Sequence, residues 1–326
     1  MTIRSGPRHG LPDPGRPDPG LDVIMRERGQ LINIAYRLLG SLAEAEDAVQ
    51  ESCARWYAMS PQQRDAIESP GAWLTTVTGR ICLNLLNSAR ARRETYVGEW
   101  IPEPLPERTE WIGGRRPGGA TTDPADPAER VTLDESVSMA FLVVLESMTP
   151  AERVAFVLHD VFCHSFAEVA EIVGRTPAAC RQLASSARRR VRAAQPAKTQ
   201  PAKTRLAQRA AIVRDFNRAW EAKDIDALIG LLDPDATATA DGGGFVNTFL
   251  RPIEGGEQVA HAWVELARRR PGDMTVLECT VNGRPGLEAR RDGATVTVFA
   301  FDISGDRITH IWVVLNPEKL TRWKAA

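Results

Sequence analysis

The chain is poor in cysteine and has no cysteine pattern that would hold a metal. Its 326 residues contain five cysteines, and none of them forms a C-x-x-C pair, the spacing typical of zinc and redox sites. Most of them fall at apolar positions of helical patterns, which predicts buried thiols rather than disulfides or metal ligands. We therefore expect no metal and no organic cofactor. The five are Cys53, Cys82, Cys163, Cys180 and Cys279.

Long apolar runs and a marked excess of one charge are also missing. No stretch of about 18 apolar residues occurs, and no signal-peptide core follows Met1. The formal net charge is -1, with 43% hydrophobic and 25% charged residues, which is ordinary for a soluble protein. We expect a cytoplasmic protein without a membrane partner. Any nucleic-acid binding must come from a local cluster of basic residues.

Two segments of the chain have the apolar spacing of helices. Residues 1–20 repeat Pro, Gly, Asp and Arg and predict a disordered tail. Residues 21–97 then carry three helical patterns, separated by Gly40 and by a polar loop at 60–68. Helical patterns resume within residues 131–194. The sequence thus predicts two all-α domains.

The remaining segments predict two linkers and a third domain. Residues 98–130 are rich in Pro and Gly and predict a long flexible linker. A second linker at 195–205 contains Pro-Ala-Lys-Thr twice. Residues 206–326 combine helical stretches with short alternating runs, which predicts an α+β domain with a curved antiparallel sheet.

The segment 165–192 has the features of a helix-turn-helix. Ser165 and Glu168 form a capping box, Gly174 supplies the turn, and Pro177 suits the first position of the next helix. That helix has one apolar arc and one polar, basic arc, which suits major-groove binding. A solvated arginine-rich helix is the alternative. The predicted DNA contacts are Thr176, Ala178, Arg181, Gln182, Ser185, Arg188, Arg189 and Arg192.

Two further helices have a charged face. In the helix at 42–58, an acidic face opposes the apolar one, and it predicts a basic protein partner because acid would repel DNA phosphates. A solvated face is the alternative. The helix from Pro70 to about Glu94 becomes basic in its second half, which suits phosphate contacts with single-stranded DNA. The acidic face is Glu46, Asp47, Gln50 and Glu51, and the basic helix offers Arg80, Asn84, Asn87, Arg90, Arg92 and Arg93.

Residues 21–194 resemble a compact bacterial sigma factor of the extracytoplasmic-function type. The resemblance rests on residues 35–40 (AYRLLG), residues 45–51 (AEDAVQE) and Trp73-Leu74. It implies that the first domain binds the clamp of core RNA polymerase and opens the −10 promoter element, while the second reads the −35 element. The implied partners are promoter DNA and the beta-prime clamp and beta subunits of core polymerase. The loop at 60–68, which has no aromatic residue, would receive an unstacked base through polar contacts.

Three later motifs resemble the subgroup of these sigma factors that carries a fused SnoaL-like C-terminal domain with a cone-shaped, curved sheet. In that subgroup the fused domain is implied to regulate the sigma factor in cis. The implied regulatory contacts are Trp100, Pro102, Glu103 and Pro104 of WIPEP, Asp241, Gly242, Gly243 and Gly244 of DGGG, and Asn316, Pro317, Glu318, Lys319 and Leu320 of NPEKL.

An enzyme tethered to a DNA-binding module is the competing interpretation. SnoaL-like folds include cyclases, and related hydrolases and isomerases, that use a carboxylate or histidine as acid or base. The third domain contains no tyrosine, so it lacks an isomerase-type oxyanion donor. We expect no catalysis, although an unidentified small-molecule ligand of the cavity stays open. An activator without polymerase affinity is a third class. The available groups are Asp226, Asp241, His261, Asp302 and His310.

Overall fold

The computed structural model describes residues 19–93, 96–106, 135–194, 202–269 and 272–323. The predicted tail, except for its last two residues, lies outside the described residues. The same holds for most of the first linker, for residues 195–201 of the second, and for the side chains of Arg90, Arg92 and Arg93.

The first helical unit follows the predicted pattern, with one addition. Gly40 has a φ of +70° and ends α1, and the Ser41 side chain then caps α2. The polar loop predicted at 60–68 contains a short helix, because Ser60 and Gln63 form a capping box. The unit consists of α1 (Pro19–Leu39), α2 (Leu42–Ala58), α3 (Pro61–Asp65) and α4 (Pro70–Arg93).

The second helical unit contains the predicted helix-turn-helix. The Ser165–Glu168 capping box is formed, Gly174 ends the first helix at a φ of +70°, and the Thr176 hydroxyl accepts a hydrogen bond from Ala179 N at 3.2 Å. The prediction is confirmed. The unit consists of a 3-10 turn (Glu135–Val137), α5 (Met139–Glu146), α6 (Pro150–Phe156), a π-helical turn (Val157–Val161), α7 (Phe166–Val173) and α8 (Pro177–Ala194).

The third unit is an α+β domain whose sheet is mixed rather than antiparallel. Its strand order is β2-β1-β6-β5-β4-β3, and β1 pairs with β6 in parallel. The expectation of an antiparallel sheet was wrong there, because the long chain between β1 and β6 permits a parallel return. The domain consists of α9 (Ala202–Ala222), α10 (Ile225–Leu231), β1 (Leu232–Asp241), β2 (Ile253–Glu254), α11 (Gly256–Arg269), β3 (Met274–Val281), β4 (Arg284–Arg291), β5 (Ala294–Ser304), β6 (Arg307–Val314) and a 3-10 segment (Pro317–Trp323).

Three hydrophobic cores hold these units together. The helices of the first two units share one core, and α9, α10 and α11 pack on one face of the sheet. The other sheet face packs against Ile101, Met139, Leu320 and Trp323, which come from the first linker, from α5 and from the C-terminal 3-10 segment. The third domain is therefore in apolar contact with the linker and with the second helical unit.

The start of the first linker differs from the expectation of a flexible segment. Residues 101–105 belong to no helix or strand but are buried, and Pro106 forms a bridge with Val281 of β3. The side chains of Ile101 and Leu105 each fill one of the cores. Burial of these apolar side chains between units outweighs the turn-forming tendency of the two prolines. In the described part of the chain, the helices lack the length and apolar character needed to cross a membrane.

Candidate functional site

The predicted acidic face lies on α2 opposite the buried side. Asp47, Gln50 and Glu51 are exposed and Glu46 is half-buried, while Ala45, Val49 and Trp56 are among the buried residues of the helix. The helical period of the sequence predicted that these side chains lie opposite the buried face of α2, and the structure confirms this placement.

Two of these acidic side chains already have basic partners. Glu51 pairs with Arg55 one turn along the helix, at 2.5 Å. Glu46 pairs with Arg322 of the C-terminal 3-10 segment, also at 2.5 Å between Oε2 and Nη2. The C-terminal end of the chain therefore lies against one end of the acidic face.

The polar arc of α8 is open to solvent, as the sequence predicted. Cys180, Ala184, Ala187 and Val191 are buried on the opposite side. The Arg181 guanidinium lies 5.3 Å from the centre of the Phe166 ring, which directs it across the turn between the two helices. The exposed residues of the predicted DNA-binding set are Thr176, Ala178, Arg181, Gln182, Ser185, Arg189 and Arg192.

Arg188 differs from the other predicted DNA contacts. Its Nε atom pairs with Oδ1 of Asp160 at 2.5 Å, and the Asp160 side chain is only 8% exposed. Asp160 lies in the π-helical turn after α6. The apolar spacing of the sequence does not indicate such a turn. Arg188 is therefore engaged by a buried carboxylate inside its own unit, while its role at DNA stays a prediction.

The basic helix α4 contacts the helix-turn-helix. Asn84 and Asn87 are exposed, but Nη2 of Arg80 donates to the Glu171 carbonyl of α7 at 2.9 Å. Next to it, a Cβ atom added at Gly79 would lie 2.8 Å from the side chain of Ile172. The absence of a side chain at Gly79 thus allows the two helices to approach closely.

The three motifs of the C-terminal subgroup meet at the Asp241 carboxylate, which is fully buried at the end of β1. It accepts hydrogen bonds from the Tyr96 hydroxyl at 2.6 Å, from Ile101 N at 3.0 Å and from Gly243 N at 3.0 Å. It also pairs with the Lys319 ammonium at 2.7 Å. These donors satisfy a buried negative charge that would otherwise be costly. Burial is the main cause that raises the pKa of the Tyr96 hydroxyl, and the neighbouring Asp241 carboxylate raises it further.

Lys319 connects the C-terminal segment to the linker as well as to β1. Its ammonium donates to the Ile101 carbonyl at 2.5 Å and lies 4.2 Å from the centre of the Trp100 ring, a distance that favours a cation–π contact. Gly243 permits this close packing because its φ is +62° and a Cβ atom there would lie 2.4 Å from the Asn316 amide. WIPEP, DGGG and NPEKL therefore form one contact.

Glu103 ties the linker to the helix that carries the acidic face. Its carboxylate accepts a hydrogen bond from Leu42 N at 2.7 Å, at the N-terminus of α2, where a negative charge is stabilised. Its carbonyl accepts the Tyr36 hydroxyl proton at 2.7 Å. Burial raises the pKa of the Glu103 carboxyl, against the opposing effect of the N–H donors at the start of α2. Pro104 is held through its carbonyl, which accepts from the Trp323 indole at 2.8 Å.

Sequence reasoning missed several residues of these contacts. The hydroxyls of Tyr36 and Tyr96 join distant segments. The Asn282 side chain bonds to Tyr36, Leu105 and Val137, and Arg322 pairs with Glu46. Asn282-Gly283 is a recognisable turn signal, and Tyr36 lies inside the AYRLLG motif. Neither signal indicates the partner.

Of the five groups that a catalytic third domain would use, Asp302 and His310 are opposite each other on β5 and β6, whereas the other three lie elsewhere. Asp226 and His261 are exposed on α10 and α11. The Asp241 carboxylate is bonded to the linker and to Lys319. The Asp302 carboxylate accepts from Ile303 N at 3.1 Å. His310 lies between the hydroxyls of two threonines of β1, Thr237 and Thr239, and burial lowers its pKa to about 4.

Comparison with known proteins identifies the family of this chain. The model of sigma-70 region 2 matches residues 23–92, and that of sigma-70 region 4 matches residues 138–191. The ECF RNA polymerase sigma factor SigJ of Mycobacterium tuberculosis is 39% identical over 308 residues, which cover 90% of this chain and 91% of that protein. The probable ECF RNA polymerase sigma factor SigI of the same species is 33% identical over 310 residues, covering 94% and 97%.

The architecture agrees with the same family. A crystal structure of M. tuberculosis SigJ superposes with a TM-score of 0.68 at 34% identity, over 93% of this chain and 98% of that one. The match includes the C-terminal domain, whose helices and mixed sheet fit the SnoaL-like fold expected from the three motifs. This chain therefore belongs to the extracytoplasmic-function family of RNA polymerase sigma factors and works as an alternative sigma factor, which binds core polymerase and directs it to promoters.

Proposed function

We propose that this sigma factor is held in check by its own C-terminal domain, which covers part of the surface needed for polymerase. The domain boundaries that we propose are 21–97 and 131–194 for the two promoter-reading domains, with 206–326 as the regulatory domain, which α9 extends back to Ala202, into the segment expected to be linker. We place the protein in the cytoplasm, where promoter DNA and polymerase are found.

The acidic face of α2 is the proposed polymerase contact, with the beta-prime clamp and the beta subunit as the partners. Asp47, Gln50 and Glu51 are open to solvent, so a partner can reach them without any rearrangement of α2. A basic partner surface would be attracted by this face, whereas DNA phosphates would be repelled.

DNA binding is assigned to the open arc of α8 and to the polar face of α4. The residues at the N-terminal end of α8, Arg181, Gln182 and Ser185, are placed to read base edges. Arg189 and Arg192 lie further along and would contact phosphates. On α4, Asn84 and Asn87 are exposed and available to a single strand.

Regulation in cis is supported above all by the pair between Arg322 and Glu46. The Arg322 guanidinium is positively charged, as a basic polymerase surface would be. Arg322 and the polymerase therefore compete for the Glu46 carboxylate. The buried Lys319–Asp241 pair anchors the segment that carries Arg322. Because the competitor is tethered, even a weak contact is effective at a local concentration of about a millimolar.

The affinity of the purified chain for core RNA polymerase tests this proposal. Arg322→Ala frees Glu46 and should tighten binding about three- to tenfold at low salt, with a smaller gain at high salt because exposed charges are screened. Arg322→Lys should behave like the unaltered chain. Arg218→Ala is the matched control. Arg218 is exposed, and in the described part of the chain it pairs with Asp215 on the same helix.

Promoter-dependent transcription with the same variants completes the experiment. Arg322→Ala should raise the yield of transcript and Arg218→Ala should not. If Arg322→Ala binds polymerase no more tightly than the unaltered chain, the C-terminal segment does not mask the acidic face and the proposal is wrong.

A further inference from the structure

Asn282 lies at the tip of the β3–β4 hairpin and is fully buried. Its side-chain amide donates to the Tyr36 hydroxyl at 2.8 Å and to the Val137 carbonyl at 2.9 Å. Its amide oxygen accepts a hydrogen bond from Leu105 N at 3.0 Å, and its backbone N donates to the Leu105 carbonyl at 2.9 Å. A hairpin tip normally faces solvent, so these bonds to other parts of the chain require an explanation.

The partners of Asn282 come from separate parts of the molecule. Tyr36 belongs to α1 of the first helical unit, Leu105 to the linker, and Val137 to the first turn of the second helical unit. One side chain of the C-terminal domain thus joins both promoter-reading units and the segment between them. Losing this amide would remove a hydrogen-bond partner from Leu105 N in the linker and from the Val137 carbonyl at the same time.

The arrangement that Asn282 joins is a closed one. In it, Arg80 of α4 donates to the Glu171 carbonyl of α7, and Ile172 of α7 fills the space that a side chain at Gly79 would need. The downstream and upstream promoter elements are separate stretches of DNA, and this contact fixes the position of α4 against the helix-turn-helix while Asn84, Asn87 and the polar arc of α8 stay exposed.

We propose that Asn282 is a latch through which the C-terminal domain keeps the two promoter-reading units closed. The inference rests on the proposed roles of α4 and α8, and it differs from the masking of the acidic face because it controls the separation of the DNA-binding units. Release of the hairpin tip frees α4 from α7 and breaks the hydrogen bond between Arg80 and the Glu171 carbonyl. The latch and the Arg322 contact are far apart in sequence and can be altered independently.

The chain offers a matched pair of variants for the test. Asn282 has a φ of +51°, and Asp292, at the equivalent position of the β4–β5 turn, has a φ of +52°. Glycine adopts such values without strain, so Asn282→Gly and Asp292→Gly change their turns alike. Only Asn282→Gly removes bonds between units, because Asp292 is exposed.

Opening is measured in the full chain with Ile172→Cys, which places a thiol at the α4–α7 contact. The labelling rate of this thiol is read peptide by peptide by mass spectrometry. Where opening is fast, this rate follows the open fraction. We expect Asn282→Gly to raise it at least about fivefold, as the loss of one or more buried hydrogen bonds would, while Asp292→Gly leaves it unchanged. Tyr36→Phe, which removes one of the latch partners, should act in the same direction and serves if Asn282→Gly does not fold.

An unchanged labelling rate in Asn282→Gly, or an equal rise in Asp292→Gly, would overturn the latch. Promoter-dependent transcription is measured separately on the same proteins. If labelling rises as expected while α4 and α8 variants bind promoter DNA normally, the latch stands and the proposed DNA-binding roles fail. The two failures are therefore distinguishable.

Discussion

Lys319 and Asp241 form a buried ion pair, with 2.7 Å between the ammonium and the carboxylate, that joins two motifs 78 residues apart. Both side chains are also bonded to Ile101 of the linker, the carboxylate through its N–H and the ammonium through its carbonyl. The pair is therefore the centre of the contact between the C-terminal domain and the linker, and its energetics follow from burial.

Removing one partner of this pair should cost more than removing both. Lys319→Met leaves the Asp241 carboxylate buried without its counter-charge, and we expect a loss of about 3–5 kcal/mol in the free energy of unfolding. Asp241→Asn combined with Lys319→Met removes both charges of the pair and should be less destabilised. Urea denaturation measures both. Equal losses in the single and double variants would mean that the charge of Asp241 is not the cause.

Arg181 and Arg189 should contribute to DNA binding in different ways. Arg181→Ala should cost about 1–3 kcal/mol on the preferred promoter and relax the sequence preference, because a base contact is lost. Arg189→Ala should weaken all sequences alike and reduce the salt slope by about one unit, because a phosphate contact is lost. Binding to matched and scrambled sites at two salt concentrations distinguishes them, with Arg218→Ala as the control. An unchanged preference in Arg181→Ala would contradict the assignment.

Charge reversal on the acidic face should separate polymerase binding from folding. Both Asp47 and Glu51 are exposed, so Asp47→Lys with Glu51→Lys should alter stability by no more than about 0.5 kcal/mol for each position, while co-purification with core polymerase is lost. Glu221→Lys with Asp306→Lys reverses as many exposed charges on the C-terminal domain and should keep polymerase binding. A DNA contact would predict the opposite sign, since removal of negative charge favours DNA.

The half-buried imidazole of His310 should make the C-terminal domain sensitive to acid. Burial lowers its folded pKa from 6.5 to about 4, so between these values the unfolded chain binds a proton that the folded chain does not. Stability from this group is present above pH 6.5 and falls as the pH is lowered towards 4. His310→Gln should lose about 1–3 kcal/mol less stability than the unaltered chain over that range. Thermal unfolding at pH 7 and pH 4.5 measures the difference, and equal losses would contradict it.

Local signals predicted the helices and their faces well. The capping box at Ser165–Glu168 is formed as the sequence indicated, because its two residues lie within one turn of the chain. The exposed and buried arcs of α2 and α8 follow from the helical period. By contrast, β4 has no clear strand pattern in the sequence, since Pro285 and Gly286 at its start are unfavourable in strands.

The sequence by itself determined the family motifs, the helix-turn-helix and the two charged faces, because each depends on residues a few positions apart. Only the tertiary structure decided which charges meet. It places Arg188 against Asp160, Arg322 against Glu46, and the Asn282 amide among three segments. Such contacts join a side chain to a distant backbone or carboxylate and leave no periodic trace. Their physical cause is the need to satisfy polar groups that become buried when the units pack together.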